Sequence, residues 1–156
     1  MPAIKLDDID RQILRILQSE GRISNKDLAE KINLTTTPTL ERVRRLEREG
    51  VIKSYSAEVD PEAIDMGFNA FVTVMLSAHR LNLLDEFIAA VKAMPEILAC
   101  YNTTGEGDFL LHIVAKDVKD YENLVRTKLT TLPDVQRIHT SIVLSTIKEH
   151  SNLPIL

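Results

Sequence analysis

One cysteine, no tryptophan and no long apolar run set the first limits on this chain of 156 residues. The lone thiol, Cys100, cannot build an intramolecular disulfide framework, and a reducing cytoplasm is the expected setting. No stretch of 18 apolar residues is present, so no membrane span is expected. The opening residues MPAIKLDDIDRQ lack the cationic start and apolar run of a signal peptide. No G-x-G-x-x-G or Walker pattern occurs, which removes the common dinucleotide and phosphate loops. His79, His112, His139 and His150 lack metal-ligand spacing, and Cys100 has no C-x-x-C partner. Neither an enzyme nor a metal site is therefore expected, and the acidic run at 7–10 reads as a helix start.

What is present is a local concentration of arginine in an acidic chain. The formal charge is −4, yet Thr37 to Lys53 carries five cations against three anions. Around it, residues 1–60 read as three short helices. Ile9, Ile13, Ile16 and Leu17 recur at helical spacing behind Asp7 or Asp8 as N-cap. Ser24 caps a second helix with Asp27 three residues on, and Thr37-Pro38 opens a third that Gly50 closes. Two helices joined by a short turn, the second one basic, form the helix-turn-helix pattern. The alternation in VIKSYSAEV after Gly50 reads as a strand, the wing of a winged helix.

On a helical wheel Leu40, Val43 and Leu46 define the expected buried face of the third helix, and Arg42, Arg45 and Arg48 fall opposite. A solvated helix with salt-bridged charges is one reading. The capped helix pair favours double-stranded DNA as the partner. In that reading Pro38, Thr39 and Arg42 enter the major groove, with Arg42 the candidate for guanine. Thr35, Thr37, Arg45 and Lys53 hold phosphates, and Ser24 and Asn25 start the preceding helix at the same surface.

After a linker at 61–67, residues 68–156 alternate strands with helices in the order β-α-β-β-α-β, the ferredoxin-like unit. The fold class expected is α+β, an N-terminal winged helix-turn-helix plus this C-terminal domain. Both helices of such a unit cover one face of its sheet. The strands are nevertheless apolar on both faces: Leu110 and Val114 oppose Phe109, Leu111, Ile113 and Ala115. A homodimer with stacked sheets is expected, the alternative being loops that cover the second face. By spacing alone, GEGD between two strands reads as a hairpin turn.

The segment IDRQILRILQSEGRISNKDLAEKINLTTTPTLERVRRLEREGVI closely resembles the leucine-responsive regulatory protein / asparagine-regulator (Lrp/AsnC, feast/famine) family of transcription regulators. The resemblance runs through residue 147, with the family's Gly-x-x-Asp signature as Gly105 to Asp108. It implies a regulator of amino-acid metabolism genes that binds a small amino acid, and dimers that assemble into octamers. It places the effector near Thr104, Gly105, Gly107 and Asp108 and near Thr140, Ser141 and Ile142. Asp108 would face one charge of a zwitterion, and the glycine N–H groups and threonine hydroxyls the other. The surrounding strand residues are aliphatic, which points to leucine or another apolar amino acid such as methionine.

Overall fold

The computed structural model describes residues 4–77, 81–148 and 152–156, and the chain divides into two compact units. The first unit holds Met1–Glu58 together with Lys148–Leu156, and the second holds Val59–Ile147. The sequence pattern, with its linker at 61–67, assigns everything from 68 to 156 to the second domain. The last residues instead return to the first unit, through long-range packing that no local pattern announces.

In the first unit, α1 (Asp8–Ser19) begins at Asp7 with a reciprocal capping box to Asp10. Helix α2 (Asn25–Lys31) starts at Ser24, whose hydroxyl accepts from the Asp27 N–H at 3.1 Å. Helix α3 (Thr36–Arg48) has Thr35 as its N-cap, so it starts earlier than the Thr37-Pro38 pairing predicts. Pro38 still sits in the first turn, where its missing N–H costs no hydrogen bond. Ile13, Leu14, Leu28, Ile32 and Leu46 form the core of this unit. Residues 152–156 run along α1. The Gln18 amide bonds Leu153 both ways, its Nε2 to the carbonyl at 3.2 Å and its Oε1 from the N–H at 2.7 Å. Arg15 donates to the Ile155 carbonyl at 2.8 Å, Arg11 Nε to that of Leu156 at 2.6 Å, and Ile155 packs against the core.

The expected wing strand after Gly50 is absent: residues 51–59 form no ladder. The N–H groups of Val51 and Ile52 both go to the Leu46 carbonyl, at 2.9 and 3.1 Å, while Gly50 takes φ +71°. Their side chains pack against the core, so the segment serves as the C-terminal cap of α3.

The second unit follows the order β1 (Phe68–Leu76), α4 (Leu81–Lys92), β2 (Ile97–Asn102), β3 (Phe109–Ala115), α5 (Val118–Thr127), β4 (Val135–Ile142). The strands make one antiparallel sheet in spatial order β2-β3-β1-β4, as the β-α-β-β-α-β pattern requires. Ala70, Val72, Val74 and Leu76 of β1 alternate inward, with Phe109, Leu111, Ile113 and Ala115 beside them. Phe87 and Val91 of α4 and Tyr121 and Leu124 of α5 complete this core. On the other face Phe71 stacks on His112 with centroids 4.8 Å apart, and His112 Nε2 meets Asn69 Oδ1 at 2.8 Å. Tyr101, opposite Leu110 in the register, shares this face and is 56 % exposed.

Candidate nucleic-acid interface and effector pocket

The arginines of α3 separate into two groups, and the division differs from the helical-wheel expectation. Asp10 of α1 is fully buried. Arg42 Nη1 donates to Asp10 Oδ1 at 2.8 Å and to Asp7 Oδ2 at 2.7 Å, and Arg45 Nη2 also pairs with Asp10. The N–H of Asp10, and then the Arg42 guanidinium, hold the Asp7 carboxyl below its ordinary range. Arg42 and Arg45 therefore fasten α3 to α1, which conflicts with their expected roles at DNA. A buried carboxylate demands cationic partners, and it sets the rotation of the helix.

That rotation moves other residues too. Thr39, expected in the major groove, is fully buried, and its hydroxyl donates to the Thr35 carbonyl at 2.9 Å. Leu40, expected inside, is 36 % exposed. Asn25 is half-buried and donates from Nδ2 to the Thr36 carbonyl at 2.9 Å, bracing the turn of the motif. Ser24 is exposed but serves α2 as its cap. Thr35, Thr37 and Lys53 are exposed and Pro38 is half-buried, positions compatible with contact to a ligand.

The outward stripe of α3 comprises Thr36, Thr37, Leu40, Glu41, Arg44 and Arg48. Sequence reasoning leaves Arg44 on the flank. It is exposed and makes no ion pair among the described residues, and the same holds for Arg48. Placing Thr39 on the buried face alongside Val43 and Leu46 recovers this stripe. We expect Arg44→Ala to weaken DNA binding for all sequences alike and to lower the salt slope by about 1, with unchanged melting. Arg45→Ala should instead lower the melting temperature. Binding titrations at several salt concentrations, paired with thermal melts, test this; reversed outcomes would refute the assignment.

In the second unit a cavity of about 400 Å³ opens beside the GEGD loop. Strand β1 contributes Thr73 and Met75, the loop Thr103, Thr104, Glu106 and Gly107, and β4 Arg137 and His139. Thr104 and Gly107 are expected here from the sequence. Gly105 holds the loop at φ +130°. Gly107 is required by close approach, because a Cβ there would lie 2.2 Å from Thr73 Cγ2. Asp108, expected to face an effector, uses Oδ2 to accept the Leu76 N–H at 2.8 Å, and its own N–H donates to the Val74 carbonyl at 2.9 Å. Its carbonyl accepts the Thr103 N–H at 3.0 Å. The signature aspartate thus staples the loop to the end of β1.

Thr140, also expected at the effector, instead meets the Tyr121 hydroxyl at 2.5 Å on the helix-covered side, where burial raises the Tyr121 pKa. Ser141 and Ile142 are exposed and do not line the cavity. Arg137 and His139, two residues apart on β4, line the cavity, and sequence reasoning misses them. Their register partners Met75 and Thr73 place them on the loop's side of the sheet. Together the cavity offers the Arg137 guanidinium for a carboxylate, Glu106 for an ammonium group, and Met75 for an apolar side chain. His79 and His150 lie outside the described residues. No helix among the described residues is long and apolar enough to cross a membrane.

Comparison with known proteins agrees with both units. Residues 6–53 match the model for winged helix-turn-helix DNA-binding domains, and residues 69–153 match that for the Lrp/AsnC ligand binding domain. The leucine-responsive regulatory protein of Salmonella typhimurium is 39 % identical over 99 % of this chain and 94 % of its own length. That of Escherichia coli K12 is 38 % identical over the same shares. A transcriptional regulator of Neisseria meningitidis, solved as a complex with L-Met, superposes with a TM-score of 0.92 at 35 % identity, covering 96 % of this chain and 97 % of that one. An AsnC family regulator from Agrobacterium tumefaciens gives 0.90 at 30 % identity, over 96 % and 97 % of the two chains. The capped helix-turn-helix and the four-stranded sensor with its Gly-x-x-Asp loop are those of a DNA-binding, amino-acid-binding transcription regulator rather than an enzyme, and the chain belongs to the Lrp/AsnC family.

Proposed function

We propose that this regulator responds to an apolar amino acid, methionine or leucine, and controls genes of amino-acid metabolism in the cytoplasm. The supporting observation is the chemistry of the cavity beside the GEGD loop. Arg137 and His139 stand at one side, Glu106 at another, and Met75 with the Thr73 methyl between them. A zwitterion can satisfy both charges there, while the remaining surface favours an unbranched or lightly branched apolar side chain. The regulator of Neisseria meningitidis solved with L-Met supports the same class of ligand.

The chain works as a homodimer in this reading, with dimers assembling further into an octamer. Support comes from the second sheet face, where Phe71, His112, Leu110 and Tyr101 gather with no helix of this unit over them among the described residues. Stacking that face on a second copy removes it from water and narrows the mouth of the cavity.

A thermal-shift panel against all twenty amino acids tests the effector. A ligand at 100 times its dissociation constant adds about 2.7 kcal/mol to folded stability. The expected result is a shift confined to methionine, leucine and their neighbours, and its loss in Arg137→Ala with the unliganded melting temperature unchanged. A selective shift with lysine, arginine or glutamate would overturn the choice of effector.

A further inference from the structure

Four residues occupy the outward side of the first two turns of α3: Thr36, Thr37, Leu40 and Glu41. In a helix-turn-helix, that half of the second helix meets the base edges. Guanine is read in the major groove chiefly by Arg or Lys and adenine by Asn or Gln, through paired hydrogen bonds. None of the four residues can make either contact. Arg42, the arginine nearest them in sequence, is turned inward to Asp7 and Asp10 at 2.7 and 2.8 Å. Apart from the threonine hydroxyls and the Glu41 carboxylate, what remains is apolar. Two threonine methyl groups and a leucine 36 % exposed lie on one stripe, with Arg44 a turn further on and Arg48 beyond it to meet the phosphates.

The C5-methyl of thymine is the one apolar group on the major-groove edge of DNA. We propose that Thr36, Thr37 and Leu40 select operators through thymine methyl groups, with Leu40 as the principal reader. Leu40 lies outside the core cluster to which Val43 and Leu46 belong, and about a third of it stays open to solvent. Against a methyl group it gains the contact that its own unit does not provide. Glu41, at the edge of the stripe, repels the acceptor-rich edge of guanine and can accept only from an exocyclic amine.

The test uses the full-length protein and a duplex selected by it from a randomised pool. Each thymine is then replaced singly by deoxyuridine, which removes the methyl and leaves base pairing intact. The expected result is an affinity loss of about fourfold at each contacted position. Leu40→Ala should lose the methyl dependence at one or more of those positions, and Thr36→Ser and Thr37→Ser, which keep their hydroxyls, should lose it at others. Equal affinity for thymine and uracil at every position would overturn the proposal. So would a Leu40→Ala variant whose methyl dependence matches that of the unaltered protein throughout.

Discussion

Asp10→Ala should cost the DNA-binding unit about 3–5 kcal/mol, enough to consume a large share of the roughly 5–15 kcal/mol typical of a folded domain. The carboxylate is fully buried and serves three donors: Arg42 Nη1 at 2.8 Å, Arg45 Nη2, and the Asp7 N–H at 3.1 Å. Removing it leaves two guanidiniums, each with about a third of its side chain exposed. Partial rehydration puts the loss toward the low end of the range. The reverse deletion is harsher: Arg42→Ala with Arg45→Ala leaves a buried carboxyl without either cationic partner. The sharpest form of the test removes all three charges. Replacing Asp10, Arg42 and Arg45 together by apolar residues of similar volume should recover most of the stability, because the network owes much of its favourable energy to mutual compensation. Asp8→Ala serves as control, since its side chain is 98 % exposed. Circular-dichroism melts of these variants decide the matter, and an Asp10→Ala protein as stable as the control would refute the reading.

The same cluster sets the acid limb. The folded pKa of Asp7 is depressed, so its contribution to stability is present above the unfolded value of about 3.9 and is lost as pH falls through the lower folded one.

Phe87→Ala should destabilise the sensor unit by about 3–5 kcal/mol. The ring is fully buried on α4, 4.8 Å from that of Phe109 and tilted by 39°. Truncation removes its transfer free energy and opens a cavity that the surrounding Val91, Leu111 and Leu124 cannot fill without moving. Phe109 follows Asp108 directly, so a void beside it loosens the strand that anchors the GEGD loop. The variant should therefore lose its amino-acid thermal shift at ligand concentrations that saturate the parent protein. Phe87→Leu keeps most of the volume and should retain both fold and response. The urea midpoint and the methionine-dependent shift are the measurements. A Phe87→Ala protein with an unchanged midpoint would mean that the core is assembled otherwise.

Much of this architecture is legible residue by residue. Asp7, Ser24 and Gly50 mark helix boundaries because caps act over three or four residues. The alternation of β1 and β3 reveals a sheet with one face against helices, since period 2 is a local property. The arginines of α3 are different. A helical wheel places cations outward by default, and only a carboxylate 32 and 35 positions away turns Arg42 and Arg45 inward. The same rotation carries Leu40 from its expected place inside to the surface. In the sensor, Gly105 and Gly107 are readable as loop residues, but Asp108 resembles a ligand-binding carboxylate as much as a staple. Arg137 and His139 escape notice because the face each takes depends on strand register, which is settled between distant segments.

The return of residues 152–156 to α1 alters how the two units are joined. In chain order the sensor follows the reader; in connectivity it is a loop, entered at Val59 and left at Ile147, whose two ends are both held by the reader. Seating Leu153 and Ile155 on α1 closes that loop, and closing it costs conformational entropy that depends on how ordered the intervening chain is. A piece ending at Glu58 would hold every helix of the reader and still lack the strap across its first one.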